Sequence, residues 1–189
     1  MKKNFFILLI LFLFQIAFGQ VGIGAGGGLL YPGFQESDLY KSRFIVGGGF
    51  EIFARHNLLK INESVMLDAR YAYRNYFSDV DLPFTENTRF IFNYLSAEVF
   101  TVIKRFERWQ FYGGGGFSLV SINASKDFFE SIESIVMPEL FIGIEVLFGR
   151  HYNLFGEFLF QHGSVGARED ILQLTGVRFM LGGTMYFTE

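Results

Sequence analysis

The chain has 189 residues and a net charge of −3; half of it is apolar, 19% is aromatic and Phe alone supplies 26 residues. Such a composition excludes intrinsic disorder, which needs low hydrophobicity and high net charge, and it lacks the basic excess that nucleic acid requires. With no Cys, disulfides, thiolate metal sites, thiol catalysis and a lipidated N-terminal cysteine are excluded as well.

The first element is an export signal. Lys2 and Lys3 form a positive start, Phe5 to Phe14 is an unbroken apolar run, and Ala17-Phe18-Gly19 places small residues before Gln20. The run is too short for a transmembrane helix, which needs about 20 residues. The expectation is a cleaved signal peptide over residues 1–19 and one domain over 20–189.

From there the chain alternates with period two, the signature of strands whose successive side chains point to opposite faces. The first strand, Val21 to Tyr31, is Gly-rich, with Val21, Ile23, Ala25 and Leu29 on one face. Phe44, Val46, Phe50 and Ile52 oppose Arg43, Gly47, Gly49 and Glu51. In Val65 to Phe77, the apolar Val65, Leu67, Ala69, Tyr71 and Tyr73 oppose Asp68, Arg70 and Arg74. Leu95, Ala97, Val99 and Ile103 oppose Ser96, Glu98 and Val102; Phe111, Phe117 and Leu119 oppose Tyr112, Gly114, Gly116 and Ser118. Leu140, Ile142, Ile144, Val146 and Phe148 oppose Glu139, Gly143 and Glu145. Leu154, Phe158 and Phe160 oppose Glu157 and Gln161. The last strand sets Val177, Phe179, Leu181, Met185 and Phe187 against Arg178, Gly182, Thr184 and Tyr186.

Eight such strands fit two architectures. In a soluble lipocalin-like binder the apolar face turns inward; in an outer-membrane barrel it turns outward to lipid. The apolar face carries too many aromatics for so small a barrel to enclose. The other face mixes Gly with charges of both signs, which can pair inside a narrow interior. Strand lengths also suit a tilted membrane strand of roughly 9–11 residues. The expected fold is therefore all-β: an eight-stranded antiparallel up-and-down transmembrane β-barrel. Long polar connections (Pro32 to Ser42, Ser78 to Arg89, Ala124 to Met137, Gly163 to Asp170) alternate with shorter ones near His56 to Ser64, Glu107-Arg108 and Gly149 to His151. That is the pattern of long outer loops and short periplasmic turns.

The stretch Tyr94 to Val120, YLSAEVFTVIKRFERWQFYGGGGFSLV, resembles the central hairpin of the small bacterial outer-membrane β-barrel domain family, to which OmpX, OmpW and the OmpA barrel are related. The ending Gly176 to Phe187 resembles that family's last strand, although Thr188 and Glu189 follow its final aromatic. Gln20 after the cleavage site is a habit of the family's Bacteroidota members. The resemblance implies membrane insertion, contact with outer-membrane lipid and lipopolysaccharide, and delivery by the barrel-assembly machinery. It implies no single biochemical activity.

Glu51, Asp68, Arg70, Arg74, Glu98, Glu145, Glu157 and Arg178 share the polar face and are expected to form a charge network filling the interior, with no open pore. Trp109 and Tyr152 are expected to anchor the turn side at the membrane interface. Gly22 to Gly27 matches a dinucleotide fingerprint but lacks the following helix that fingerprint requires, so it reads as barrel wall. His56, His151 and His162 lie in separate segments, the first two in short-side turns, without metal-ligand spacing. No metal or cofactor is expected.

His162-Gly163-Ser164 resembles the His-x-Ser pair of lipid A deacylases of the PagL type, also eight-stranded barrels. That would make Ser164 a nucleophile and His162 its base, with an acid needed to orient the His. Here Val165 and Gly166 follow where the deacylases carry Asn and Ala, the last strand offers Arg178 rather than an acid, and Glu169 and Asp170 do not match the pattern. The chain is therefore expected not to be an enzyme. Its loops carry Asp79, Asp81, Glu86, Lys126, Asp127, Glu130 and Glu133 with Phe84, Phe128 and Phe129, a surface on which an extracellular ligand could be held.

Overall fold

A computed structural model describes residues 20–32, 43–44, 46–81, 88–104, 108–124, 134–149, 151–167, 170–173 and 175–187. The signal segment and most of the loop residues named above lie outside them. The strands are β1 (Val21–Pro32), β2 (Arg43–Phe44), β3 (Gly47–Lys60), β4 (Val65–Asp81), β5 (Thr88–Lys104), β6 (Trp109–Ala124), β7 (Ile135–Phe148), β8 (Tyr152–Gln161), β9 (Ser164–Ala167), β10 (Asp170–Gln173) and β11 (Gly176–Phe187).

Eight of them close a barrel. Strands β3 to β8 pair antiparallel one after the next, β8 pairs with β11, and β1 pairs with both β3 and β11, so the first and last strands seal the ring. Closure matters because a lipid-exposed strand edge would leave backbone N–H and C=O groups without partners. The fold is an all-β, eight-stranded antiparallel up-and-down barrel. The short β2 extends the wall beside β4, with Arg43 opposite Asp81, and β9 and β10 form a separate hairpin.

Several strands run further than the alternation alone suggested. β4 continues through Ser78 to Asp81 and β7 begins at Ile135. β3 reaches Lys60, so His56 lies in a strand rather than a turn. The segment after His162 is not plain loop but the β9–β10 hairpin. In each case backbone pairing with an adjacent strand decides the end. Polar side chains do not end a strand whose ladder is complete.

The inside-out arrangement follows from the alternation. Phe117, Leu140 and Ile142 are 64%, 65% and 67% exposed on the outer wall, whereas Glu51, Arg74 and Glu157 are wholly buried. Glycine on the inner face makes room for rings from the adjacent strand. A Cβ at Gly24 would collide with the Phe53 ring, and one at Gly143 with the Tyr112 ring. Gly143→Val is accordingly expected to lower the stability of the folded barrel by about 1–3 kcal/mol, the usual cost of overpacking. Urea unfolding of the protein in lipid vesicles would show it as a reduced midpoint. Gly27→Ala, on the outer wall with no close neighbour, should leave that midpoint in place.

Candidate functional site: a charged interior inside an apolar wall

The inner faces of β3, β4, β5, β7, β8 and β11 bring together four arginines and six carboxylates. Nearest the short turns, Arg55 Nε donates to Asp68 Oδ2 at 2.6 Å while Nη1 binds Glu145. Asn57 donates to the second Asp68 oxygen at 2.9 Å, and Asn153 to Glu145 at 3.2 Å. Arg70 forks onto both oxygens of Glu157, at 2.7 and 3.0 Å, and its Nε binds Glu98. Arg74 binds Glu51 and Glu98, and donates to Glu139 at 2.9 Å and to the Ser96 hydroxyl at 2.6 Å. Arg178 then reaches the other oxygen of Glu139.

Rings fill the space between these layers. The Arg55, Arg70 and Arg178 guanidinium carbons lie 4.8, 4.6 and 4.3 Å from the ring centres of Phe100, Phe141 and Tyr94. Above Arg178, Leu30, Phe90, Phe92, Val120, Ile122 and Met137 form a buried apolar layer at the loop end. Chemically the arrangement is a packed plug. Burying a charge costs several kcal/mol unless it is paired, and here each guanidinium meets a carboxylate, and Arg55, Arg70 and Arg178 also meet an aromatic face.

All eight residues expected in the interior network are buried and lie in this assembly. Two members escaped that reading. Arg55 sits in β3 between the alternation read as far as Ile52 and the connection read from His56; carrying the alternation on from Glu51 by four residues would have placed it inside. Glu139 is legible on the polar face, but only the fold shows it bridging Arg74 and Arg178.

Trp109 and Tyr152 are exposed on the outer wall at the turn end, opposite Val146 and Phe148 respectively. At the loop end, Asp79 and Arg89 form an outward ion pair at 2.8 and 3.2 Å, with Arg89 over the Phe77 ring. Their hydrogen bond and opposite charges hold the Asp79 carboxyl below its ordinary range. This pair marks one edge of the apolar band, and Trp109 and Tyr152 mark the other.

His162 is exposed just past β8 and shares a hydrogen bond with Thr175 Oγ1 at 2.8 Å. Its orienting partner is thus a hydroxyl rather than an acid. Ser164 opens β9, opposite Gln173. Gly22 to Gly27 lies within β1 and is followed by more strand, as the barrel-wall reading expects.

No family model matches the chain, and no curated protein matches it. Solved structures do. The outer-membrane protein OprG from Pseudomonas aeruginosa superposes with a TM-score of 0.63 at 11% identity, over 90% of this chain and 97% of that one. The fold is that of the small outer-membrane barrels. Neisserial surface protein A matches with a TM-score of 0.55 at 13% identity, over 89% of this chain and 96% of its own. Ail, the attachment invasion locus protein of Yersinia pestis, matches at 0.52 with 14% identity, over 89% and 97%. This barrel shares with them an architecture that spans nearly their whole length.

Proposed function

We propose that the chain is an integral barrel of the bacterial outer membrane, exported by the signal over residues 1–19 and seated by the barrel-assembly machinery. Its role is structural or interactive, exercised through the segments at the loop end, and it forms no open pore and performs no catalysis. The observation that carries this reading is the inversion of polarity. Charges are paired inside, and a broad apolar band faces out, where only lipid can cover it without the penalty that water imposes on so much apolar area. The lipocalin-like alternative needs the opposite arrangement, with Glu and Arg outside. The filled interior favours action at the surface over passage through the barrel. A deacylase reading finds no support in the partner that His162 takes.

The test is gel migration of the membrane-fraction protein in detergent, with and without boiling. A closed barrel resists detergent until heated because every strand is paired on both sides. A heat-dependent shift in the outer-membrane fraction is the expected result. A soluble protein whose migration ignores heating would overturn the reading.

A further inference from the structure

The outer wall of β4, β5 and β6 is not uniformly apolar. Near the loop end, Asn75, Asn93 and Ser121 stand opposite one another across the three strands. Their positions alternate with inward Arg74, Tyr94 and Val120, so all three side chains are on the outer wall, each half-buried. In the next outward row above them Phe77 and Ile91 are exposed, with Asn123 completing the row on β6. At the loop end of β8, β11 and β1, by contrast, the outward row is Phe160, Val177 and Tyr31. The polar row is therefore local to β4, β5 and β6, not a general belt.

Immediately below it lies a groove of about 550 Å³. Its walls include Tyr71, Tyr73, Leu95, Phe117 and Leu119, and small Ala97 lies among them. Tyr73 joins the two features: its side chain lines the groove and its hydroxyl donates to Asn93 Oδ1 at 3.0 Å. Asn75 Nδ2 donates to the same oxygen at 2.8 Å. These two bonds occupy Asn93 Oδ1 and orient both amides. Asn93 Nδ2 is left as a donor, Asn75 Oδ1 as an acceptor, and the Ser121 hydroxyl as either.

We infer that this wall holds one lipid whose acyl chain is joined to its head through an amide, the chain lying in the groove and the linkage against Asn75, Asn93 and Ser121. The inference rests on the membrane reading above. An amide supplies both a carbonyl for Asn93 Nδ2 and an N–H for Asn75 Oδ1. An ester supplies only the carbonyl and leaves the Asn75 oxygen unpaired in apolar surroundings, where a missing partner costs more than an average hydrogen bond contributes. The position fits as well, because head-group linkages sit at the edge of the hydrocarbon, where this row lies beneath the Asp79–Arg89 pair.

The experiment is native mass spectrometry of the folded, detergent-solubilised protein equilibrated with lipid A, which carries amide-linked chains, or with phosphatidylethanolamine, whose chains are ester-linked only. The expected result is a one-to-one lipid A adduct that survives activation, retained about tenfold better than phosphatidylethanolamine, a margin that one satisfied polar group can provide. Ala97→Trp, which fills the groove, and Asn75→Leu, which removes the acceptor, should each abolish that preference. Both changes lie on the outer wall, and the heat-dependent gel shift of each variant reports its folding. Equal retention of the two lipids, or an unchanged lipid A adduct in folded Ala97→Trp, would overturn the site while the barrel stood. A protein without the gel shift would remove the membrane reading and the site together.

Discussion

Arg74→Leu is expected to lower the barrel's unfolding free energy by about 3–5 kcal/mol, the cost of removing one partner from a buried ion network. Arg74 is wholly buried and binds Glu51, Glu98 and Glu139 at once. Its loss leaves Glu51 with only the longer 3.9 Å contact to Arg70, and Glu139 with Arg178 alone. Glu98 keeps Arg70. Repulsion among three carboxylates then adds to the lost pairing. Glu98→Ala should cost less, because Arg70 retains Glu157 and Arg74 retains Glu51 and Glu139. The interior holds more acids than arginines, so an arginine is the harder member to lose. Urea titration in lipid vesicles measures both midpoints. Equal shifts for the two variants would mean that the network does not act as a connected unit.

Ile142→Arg tests the orientation of the wall. Ile142 lies mid-strand in β7, opposite Gly113 and Phe158, and is 67% exposed. If lipid covers it, arginine there should cost about 2–4 kcal/mol, the range for a cation facing the bilayer midplane. On a water-facing surface the same change would stay within about 0.5 kcal/mol. Asn123→Arg, exposed at the loop end, gives the comparison, since the penalty falls to about 0–1 kcal/mol near the interface. Vesicle unfolding midpoints for the two variants should differ by most of the larger figure. Indistinguishable midpoints would remove lipid from this face.

The same residues show how much of the molecule is readable without coordinates. Period-two alternation places Ile142 outside and Glu157 inside because a pleated strand offers a side chain only two directions. Once the aromatic excess decides which face meets lipid, every strand is oriented together. That much is local and cumulative, so the eight-strand count and eight of the ten interior charges were already legible. Strand ends were not. β3 runs through Arg55 because the backbone of β4 continues beside it, and pairing with a neighbour distant in sequence overrides polar composition.

The pairing of charges was equally out of reach. Arg55 stands directly opposite Arg70 across β3 and β4, an arrangement that looks repulsive in register. In the closed barrel their side chains part, Arg55 toward Asp68 and Glu145, Arg70 toward Glu98 and Glu157. The row of Asn75, Asn93 and Ser121 likewise exists only once three strands lie in register. Which face of each strand is polar was written in the order of residues, because that depends on spacing along one chain. Tertiary structure alone decided which charges meet and which outward polar groups align, because strand register and barrel closure bring together residues far apart in the chain.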